Sequence, residues 1–68
     1  MTTLADVLRL IPELEEIAIH DEFGIIRFAG KCRDFRATNS EIELVYFDYA
    51  VDRIEVNKSG MIVISLKG

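Results

Sequence analysis

One histidine and one cysteine are the side chains of this 68-residue sequence best suited to catalysis at neutral pH. A cysteine nucleophile needs a base within hydrogen-bond reach, and His20 is the only side chain that ordinarily titrates near neutrality. His20 lies near the turn of a predicted hairpin, whereas Cys32 lies beyond the far end of its second strand, several residues away at about 3.3 Å each. We therefore expect the two side chains to be too far apart to react together, and we predict no catalytic residues and no enzyme activity.

The sequence also lacks the patterns of metal, acid–base and phosphate sites. A zinc site usually needs three or four histidine or cysteine ligands at suitable spacing, and no such set accompanies His20. Glu13, Glu15 and Glu16 form an acidic cluster, but glutamates in a connector usually keep it soluble, and no opposing carboxylate is predicted nearby. The glycines are isolated and form no phosphate-binding loop. We therefore predict no metal and no cofactor.

Residues 27–36 interleave basic and aromatic side chains, a pattern that suits single-stranded nucleic acid. The chain as a whole has a net charge of −4, which argues against general nucleic-acid binding. We favour a solvated loop whose arginines pair with local carboxylates. The alternative interpretation is nucleic-acid contact through four basic side chains, Arg27, Lys31, Arg33 and Arg36.

Length and composition predict one small domain, residues 1–68. A chain this short buries only about 60% of its unfolded surface, so association is a common additional source of stability. One cysteine and no disulfide partner fit a reducing compartment. The N-terminus lacks signal-peptide features, and no apolar run approaches the roughly 20 residues that span a bilayer. We expect a soluble, cytoplasmic protein.

The elements that position these side chains begin with a capped helix. Thr3 and Asp6 have the spacing of a capping box, and the apolar residues that follow Thr3 recur at helical spacing. Pro12 cannot continue a helix, so the helix is expected to stop there. The acidic connector that follows includes Leu14, which we expect to anchor it in the core.

Two β-hairpins are predicted. In the C-terminal hairpin, a three-residue turn ending in Gly60 selects the same register as the apolar pattern. This register pairs Asn57 with Met61, Val56 with Ile62 and Ile54 with Ile64. In the first hairpin, a three-residue loop would set Ile19 opposite Arg27. We prefer a four-residue loop, which sets Ile19 opposite Ile26 and Ile17 opposite Phe28.

The segment between the hairpins is less regular. Residues 31–40 show no periodicity and are predicted to be a connection. Ser40 and Glu43 have capping-box spacing, which favours a short helix over residues 41–47. A strand over residues 42–49 is the alternative, because this stretch is rich in β-branched and aromatic residues.

Together these elements predict an α+β fold, with the first helix packed on one face of a four-stranded, mainly antiparallel sheet made of two hairpins. The covered face is expected to contain Ile17, Ile19, Ile26, Phe28, Ile54, Val56, Ile62, Ile64 and Leu66. The other face is predicted to be more apolar than a solvated sheet surface usually is. We hypothesise that four of its residues contact a second copy or another protein: Ile25, Val51, Met61 and Val63.

Four motifs follow one another along the chain: Ile17-Ala18-Ile19, Gly30-Lys31-Cys32-Arg33-Asp34, Asp48-Tyr49-Ala50-Val51-Asp52-Arg53-Ile54 and Gly60-Met61-Ile62-Val63-Ile64. Their order resembles that of small acidic proteins from phages and prophages of Gram-positive bacteria. The resemblance covers most of the chain and departs from the pattern at residues 35–47. It implies a phage context and no catalytic residues.

These observations predict a non-enzymatic protein–protein interaction module and phage accessory protein. A specific version is an inhibitor of a host defence nuclease, similar to anti-CRISPR proteins, whose acidic surface occupies a basic nucleic-acid channel. The alternative is a small nucleic-acid-binding accessory protein that uses residues 27–36.

Overall fold

A computed structural model describes residues 2–37 and 45–67 of the chain. The elements are α1 (Leu4–Leu8), β1 (Glu16–His20), β2 (Ile26–Lys31), α2 (Cys32–Arg36), a 3-10 helix (Val45–Asp48), β3 (Val51–Val56) and β4 (Ile62–Leu66). Within the described ranges, the strands form one sheet in the order β2-β1-β4-β3. Each hairpin is antiparallel, and the central strands β1 and β4 run parallel. The α+β architecture with a four-stranded sheet is therefore confirmed.

The capping box of α1 forms as predicted. Thr3 Oγ1 accepts a hydrogen bond from the Asp6 amide at 3.3 Å, and the Thr3 amide donates to Asp6 Oδ2 at 3.2 Å. The helix ends at Leu8, earlier than Pro12 requires. The Ile11 amide donates to the Leu8 carbonyl three residues back, and this tighter turn still brings the Ile11 side chain into the core.

The predicted connection over residues 31–40 is wrong in its first half, because α2 forms there. The amides of Cys32 and Arg33 donate to the carbonyls of Glu15 and Glu13 at 2.8 and 2.9 Å. The acidic connector thus supplies acceptors for amides that the first helical turn cannot pair internally. This helix also places Cys32 and Phe35, which are three residues apart, fully inside the core.

The connector does not anchor through its leucine. Leu14 is 63% exposed, so the predicted core contact is wrong. The connector is attached instead by the backbone hydrogen bonds from α2. The predicted helix over residues 41–47 and its strand alternative over 42–49 fall partly outside the described residues, as does the proposed cap at Ser40. The described part, Val45–Asp48, is a 3-10 helix.

The first hairpin closes through a three-residue loop, not the four-residue loop that we preferred. The Asp21 amide donates to the Ile25 carbonyl at 2.9 Å, which leaves residues 22–24 as the loop. Gly24 has a φ of 79°, a left-handed value that glycine adopts readily. Turn chemistry therefore selects the loop here, and the match of apolar residues across the strands does not.

A β-bulge after Ile19 then shifts the ladder by one residue. Ile19 lies opposite Phe28, and Ile17 lies opposite Gly30. The predicted pairs of Ile19 with Ile26 and of Ile17 with Phe28 are therefore wrong. The three-residue alternative predicts the loop correctly but not the pairs beyond the bulge.

The C-terminal hairpin has the predicted register. The Asn57 amide donates to the Met61 carbonyl at 2.9 Å. The ladder then pairs Val56 with Ile62 and Ile54 with Ile64. A second bulge, between Val51 and Arg53, lies at the far end of the hairpin.

The core lies between the sheet and the two helices. Its buried members come from α1, the chain just after it, α2, β1 and β4: Leu4, Val7, Leu8, Ile11, Ile17, Ile19, Cys32, Phe35, Ile64 and Leu66. No described residue of the edge strand β3 is among them. Phe28 and Ile62 pack against this core, in agreement with the predicted covered face.

The predicted faces of Ile26 and Val51 are wrong, whereas Ile54 and Val56 lie on the predicted face of the sheet but are not covered. Ile26 is 59% exposed because the bulge pairs it with His20, and the residue before His20 in β1, Ile19, points into the core. Ile54 and Val56 are 49% and 68% exposed because they lie on the edge strand. Val51 packs against the core and not on the opposite face, since the second bulge reverses its side.

Candidate functional site

The fold does not bring the four predicted interface residues together. Ile25 follows the first turn, beyond the end of β1, whereas Met61 follows the second turn, next to the start of β1. Val51 packs against the core. Val63 alone lies within the open face of the sheet, between Ala18 of β1 and Glu55 of β3. The predicted contact surface is therefore not one patch.

The basic segment is also divided. Arg27 Nε lies 2.7 Å from Asp21 Oδ2, at the end of β2 opposite to Lys31. Arg33 Nε lies 3.8 Å from Asp34 Oδ1 on α2, and Arg36 ends the same helix. Arg27 therefore lies near the start of β2, whereas Lys31 and Arg33 lie at its other end and in the helix that follows.

The aromatic residues of this segment are engaged inside the protein. Phe35 is fully buried, and its ring centroid lies 4.9 Å from that of Phe28. Phe28 itself packs against the core. Base stacking requires exposed aromatic faces, so neither ring is presented for the nucleic-acid contact that the sequence pattern favours.

The residues considered for catalysis or metal binding lie apart. His20 pairs with Ile26 and Ser65 in the sheet, at the end of β1. Cys32 is fully buried, with its Sγ 4.0 Å from the Leu8 carbonyl oxygen. Among the residues that the structure describes, no group of three or more histidine, cysteine, aspartate or glutamate side chains could hold a metal ion.

Asp21 organises the first turn from a buried position. Its side-chain Oδ1 accepts hydrogen bonds from the amides of Phe23 and Ile25, both at 2.9 Å, and Oδ2 accepts from Arg27 Nε. Burial acts to raise the pKa of Asp21, but these three hydrogen bonds outweigh it and hold the pKa below its usual value. The same contact raises the pKa of Arg27. The turn therefore contains an ion pair between the buried carboxylate of Asp21 and the partly exposed guanidinium of Arg27.

The second turn has the same hydrogen-bond pattern. Asn57 Oδ1 accepts from the amides of Ser59 and Met61 at 2.9 and 3.0 Å. The Gly60 amide donates to the Asn57 carbonyl at 3.0 Å, as the Gly24 amide donates to the Asp21 carbonyl. The two glycines have φ values of 83° and 79°. Both hairpins thus close through the pattern Asx-x-x-Gly-aliphatic, which is visible in the sequence.

The two turns differ in what they expose. The first presents Phe23, Ile25 and Ile26, which are 77%, 51% and 59% exposed. At the corresponding places in the second turn are Ser59, a hydroxyl side chain, and the half-buried Met61 and Ile62. We call residues 21–27 the Phe23 turn. It is an apolar surface on a loop whose backbone is held by a buried side chain.

Of the residues in the Phe23 turn, the sequence indicates only Ile25 as a protein contact, and Arg27 as a contact only in the nucleic-acid alternative. Phe23 was missed because a loop residue has no periodicity to mark it. The available signal was the repeated Asx-x-x-Gly pattern, in which a phenylalanine takes the place that a serine occupies in the other copy.

Comparison with known proteins leaves the function to be inferred from the geometry. None of the helices in the described ranges has the length and apolar composition needed to cross a lipid bilayer. No protein-family model, curated protein or solved structure matches this chain.

Proposed function

We propose that this chain is a non-enzymatic protein-interaction module whose contact surface is the Phe23 turn. The observation that supports this proposal is an aromatic side chain, 77% exposed, on a loop pinned by the buried carboxylate of Asp21. Aromatic residues are enriched among the side chains that dominate binding energy. A loop that is already ordered loses little conformational entropy on binding, so its contacts contribute more fully to affinity.

The charges around the turn define the class of partner. Glu22 is exposed beside Phe23, while the charge of Arg27 is compensated by Asp21. The turn is therefore apolar at its tip and acidic at its margin, on a chain of net charge −4. The matching partner is a protein with an apolar pocket rimmed by lysine or arginine. A membrane is a poorer match, because anionic lipid headgroups repel an acidic loop.

A specific version of the proposal follows from the resemblance to phage and prophage proteins. In this version, the chain is a phage accessory protein that acts in the bacterial cytoplasm and inhibits a host defence nuclease. Nucleases bind their substrates in basic channels, which an acidic protein is suited to occupy. Addition of the purified chain to a CRISPR effector nuclease is expected to reduce cleavage of target DNA. Full cleavage at saturating excess of the chain would remove this version only.

The nucleic-acid alternative has less support from the geometry. Arg27 is held by Asp21, and the nearby aromatic rings pack inside the protein. Its remaining test is charge reversal of Arg33 and Arg36. Unchanged retention on a heparin column would exclude this alternative, whereas a clear loss of retention would favour it.

Quantitative capture from a Gram-positive bacterial lysate tests the interaction proposal. The baits are the wild-type chain, Phe23→Ser and the exchange variant Phe23→Ser/Ser59→Phe, which has the same composition as the wild type. We expect at least one protein to be retained by the wild type and reduced about tenfold or more with Phe23→Ser. The exchange variant is expected not to retain this protein either, because its phenylalanine lies on the turn of the C-terminal hairpin.

The exchange variant separates specific binding from general stickiness. If the exchange variant retains the same proteins in the same amounts as the wild type, an exposed phenylalanine on either turn is enough to explain their capture. If Phe23→Ser retains the same proteins as the wild type, the Phe23 turn is not the contact surface. Either result would overturn the proposal.

A further inference from the structure

The outer edge of β3 is open among the residues that the structure describes. β3 pairs with β4 alone in the sheet, and no described strand lies beyond it. Its first residue, Val51, donates its amide to the carbonyl of Thr2 at 2.9 Å. Residues 52–56 follow without a described neighbour on that side. An open strand edge presents unpaired amides and carbonyls that can pair with another strand.

The direction of the backbone groups on β3 follows from its pairing with β4. Hydrogen-bonded pairs alternate along an antiparallel ladder. The Asn57 amide bonds to the Met61 carbonyl, so the next bonded pairs toward the start of β3 involve Glu55 and Arg53. The amides and carbonyls of Ile54 and Val56 therefore point away from β4. These are the groups that a further strand would bind.

The side chains along this edge are arranged symmetrically about Ile54. Arg53 and Glu55 flank it on the open face, with Arg53 Nε 3.2 Å from Glu55 Oε1. Ile54 is half exposed on the helix side of the sheet, where Val56 lies next to it in the same row. A basic and an acidic side chain thus lie one residue before and one residue after an apolar centre.

We propose that two copies of this chain associate through β3, antiparallel, about a two-fold axis at Ile54. Ile54 then lies opposite Ile54 of the second copy, and the two exchange both backbone hydrogen bonds. Arg53 of each copy lies opposite Glu55 of the other, which gives two ion pairs across the interface. The partner is a second copy because Ile54 and the two charges beside it are complementary to their own reverse in this register.

Other two-fold registers lack this complementarity. An axis at Arg53 would place the two arginines opposite each other, and an axis at Glu55 would do the same with two glutamates. Like charges directly opposite each other on neighbouring strands are unfavourable. An axis at Val56 would place Glu55 opposite Asn57 of the other copy, and Ile54 opposite Lys58. The register at Ile54 is therefore the best matched of these four.

The resulting dimer has a single continuous sheet made from two four-stranded sheets. A two-fold axis perpendicular to the sheet keeps α1 and α2 of both copies on the same face. The two exposed isoleucines meet on that face and shield each other from water. The Phe23 turns lie at the outer parts of the dimer, so this association is independent of the proposed interaction surface.

Sedimentation equilibrium of charge-reversed variants tests this register directly. In a dimer of the Arg53→Glu variant, each introduced glutamate lies opposite Glu55 of the other copy. In a dimer of Glu55→Arg, each introduced arginine lies opposite Arg53 of the other copy. Both dimers therefore contain two pairs of like charges. Each is expected to dissociate about tenfold more readily than the wild type. An equimolar mixture of the two variants is expected to restore association, because every introduced charge then faces an opposite charge on the other chain. The double variant Arg53→Glu/Glu55→Arg is expected to dimerise as the wild type does.

Several results would overturn the inference. A wild type that remains monomeric at the highest soluble concentration contradicts it, as does a dimer unaffected by both single reversals. Failure of the mixture to associate would contradict the register at Ile54. Far-ultraviolet circular dichroism of each variant confirms folding, and Phe23→Ser serves as a control that is expected to dimerise normally.

Discussion

At the scale of single residues, Asp21 is the side chain on which the Phe23 turn depends most. Asn57 shows that an asparagine can accept the same two amide hydrogen bonds. Asp21→Asn is therefore expected to keep the loop but lose the ion pair with Arg27, whereas Asp21→Ala loses both. We expect the melting temperature to fall in the order wild type, Asn variant, Ala variant. Equal melting temperatures for the two variants would contradict this role.

The pH dependence of stability provides a second test of Asp21. Its folded-state pKa lies below the ordinary value of 3.8, so the carboxylate stabilises the fold above that pH. As the pH falls through the folded pKa, the unfolded chain takes up more protons and this contribution is lost. Urea unfolding is expected to show a steeper loss of stability below about pH 4 for the wild type than for Asp21→Asn. Parallel pH profiles would contradict this assignment.

At the same scale, the sequence predicts the separation of His20 and Cys32 better than it predicts the exposed Phe23 turn. His20 and Cys32 lie at opposite ends of the first hairpin, as the strand spacing predicted. Phe23 could not be identified from periodicity, because its exposure depends on a loop conformation. That conformation is set by hydrogen bonds to Asp21, which residue composition does not reveal.

At the scale of elements, the left-handed glycines close both hairpins. Nothing lies within 4 Å of a Cβ built at Gly60 or at Gly24, so substitution there acts through the backbone alone. Gly60→Ala is expected to reduce the free energy of unfolding by about 1–2 kcal/mol, the cost of a left-handed conformation with a side chain. Gly60→Asn is expected to cost less, since asparagine tolerates this region. Urea unfolding that places the two variants level would contradict this explanation.

The elements also show where prediction from sequence succeeds. The C-terminal hairpin was predicted in register because its turn and its apolar pattern select the same pairs. The predicted pairs of the first hairpin are wrong because a bulge follows Ile19. Alternation of apolar residues along a strand cannot reveal the extra residue of a bulge. The helix α2 was missed because its first amides bind carbonyls of the connector at Glu13 and Glu15, far away in the sequence.

At the scale of the whole molecule, the parallel contact between β1 and β4 unites the two hairpins. Ile19 and Ile64 are fully buried and face each other across this contact. Ile64→Ala is expected to lower the free energy of unfolding by about 2–5 kcal/mol, because it leaves a cavity in the core. Such a loss is comparable to the total stability of a domain this small. The variant is therefore expected to be partly unfolded at room temperature.

Ile54 is the matched control for Ile64, because the two isoleucines lie opposite each other in the C-terminal hairpin. Ile54 is about half exposed, so Ile54→Ala is expected to cost about 1 kcal/mol or less in dilute solution. Urea unfolding of both variants gives the comparison. Similar losses for the two would contradict the assignment of the core to the central strands.

The molecule as a whole combines a core built on one face of the sheet with the exposed Phe23 turn at one end. Overall class and strand number follow from the sequence, whereas the parallel central pair and the open edge depend on how the two hairpins dock. Which strand of each hairpin pairs with the other hairpin is decided by tertiary packing, because the two hairpins are similarly apolar. This pairing decides which isoleucines are buried, and the apolar pattern within each hairpin does not distinguish the possibilities.

The most direct test of the proposed function is site-specific photo-cross-linking to a captured partner. A benzophenone-bearing phenylalanine analogue replaces Phe23 in one sample and Ser59 in another. We predict that the partner cross-links to position 23 and not to position 59, because the two turns share a backbone geometry but lie at opposite ends of the sheet. Cross-links from position 59 alone, or equally from both positions, would contradict the assignment of the Phe23 turn as the contact surface.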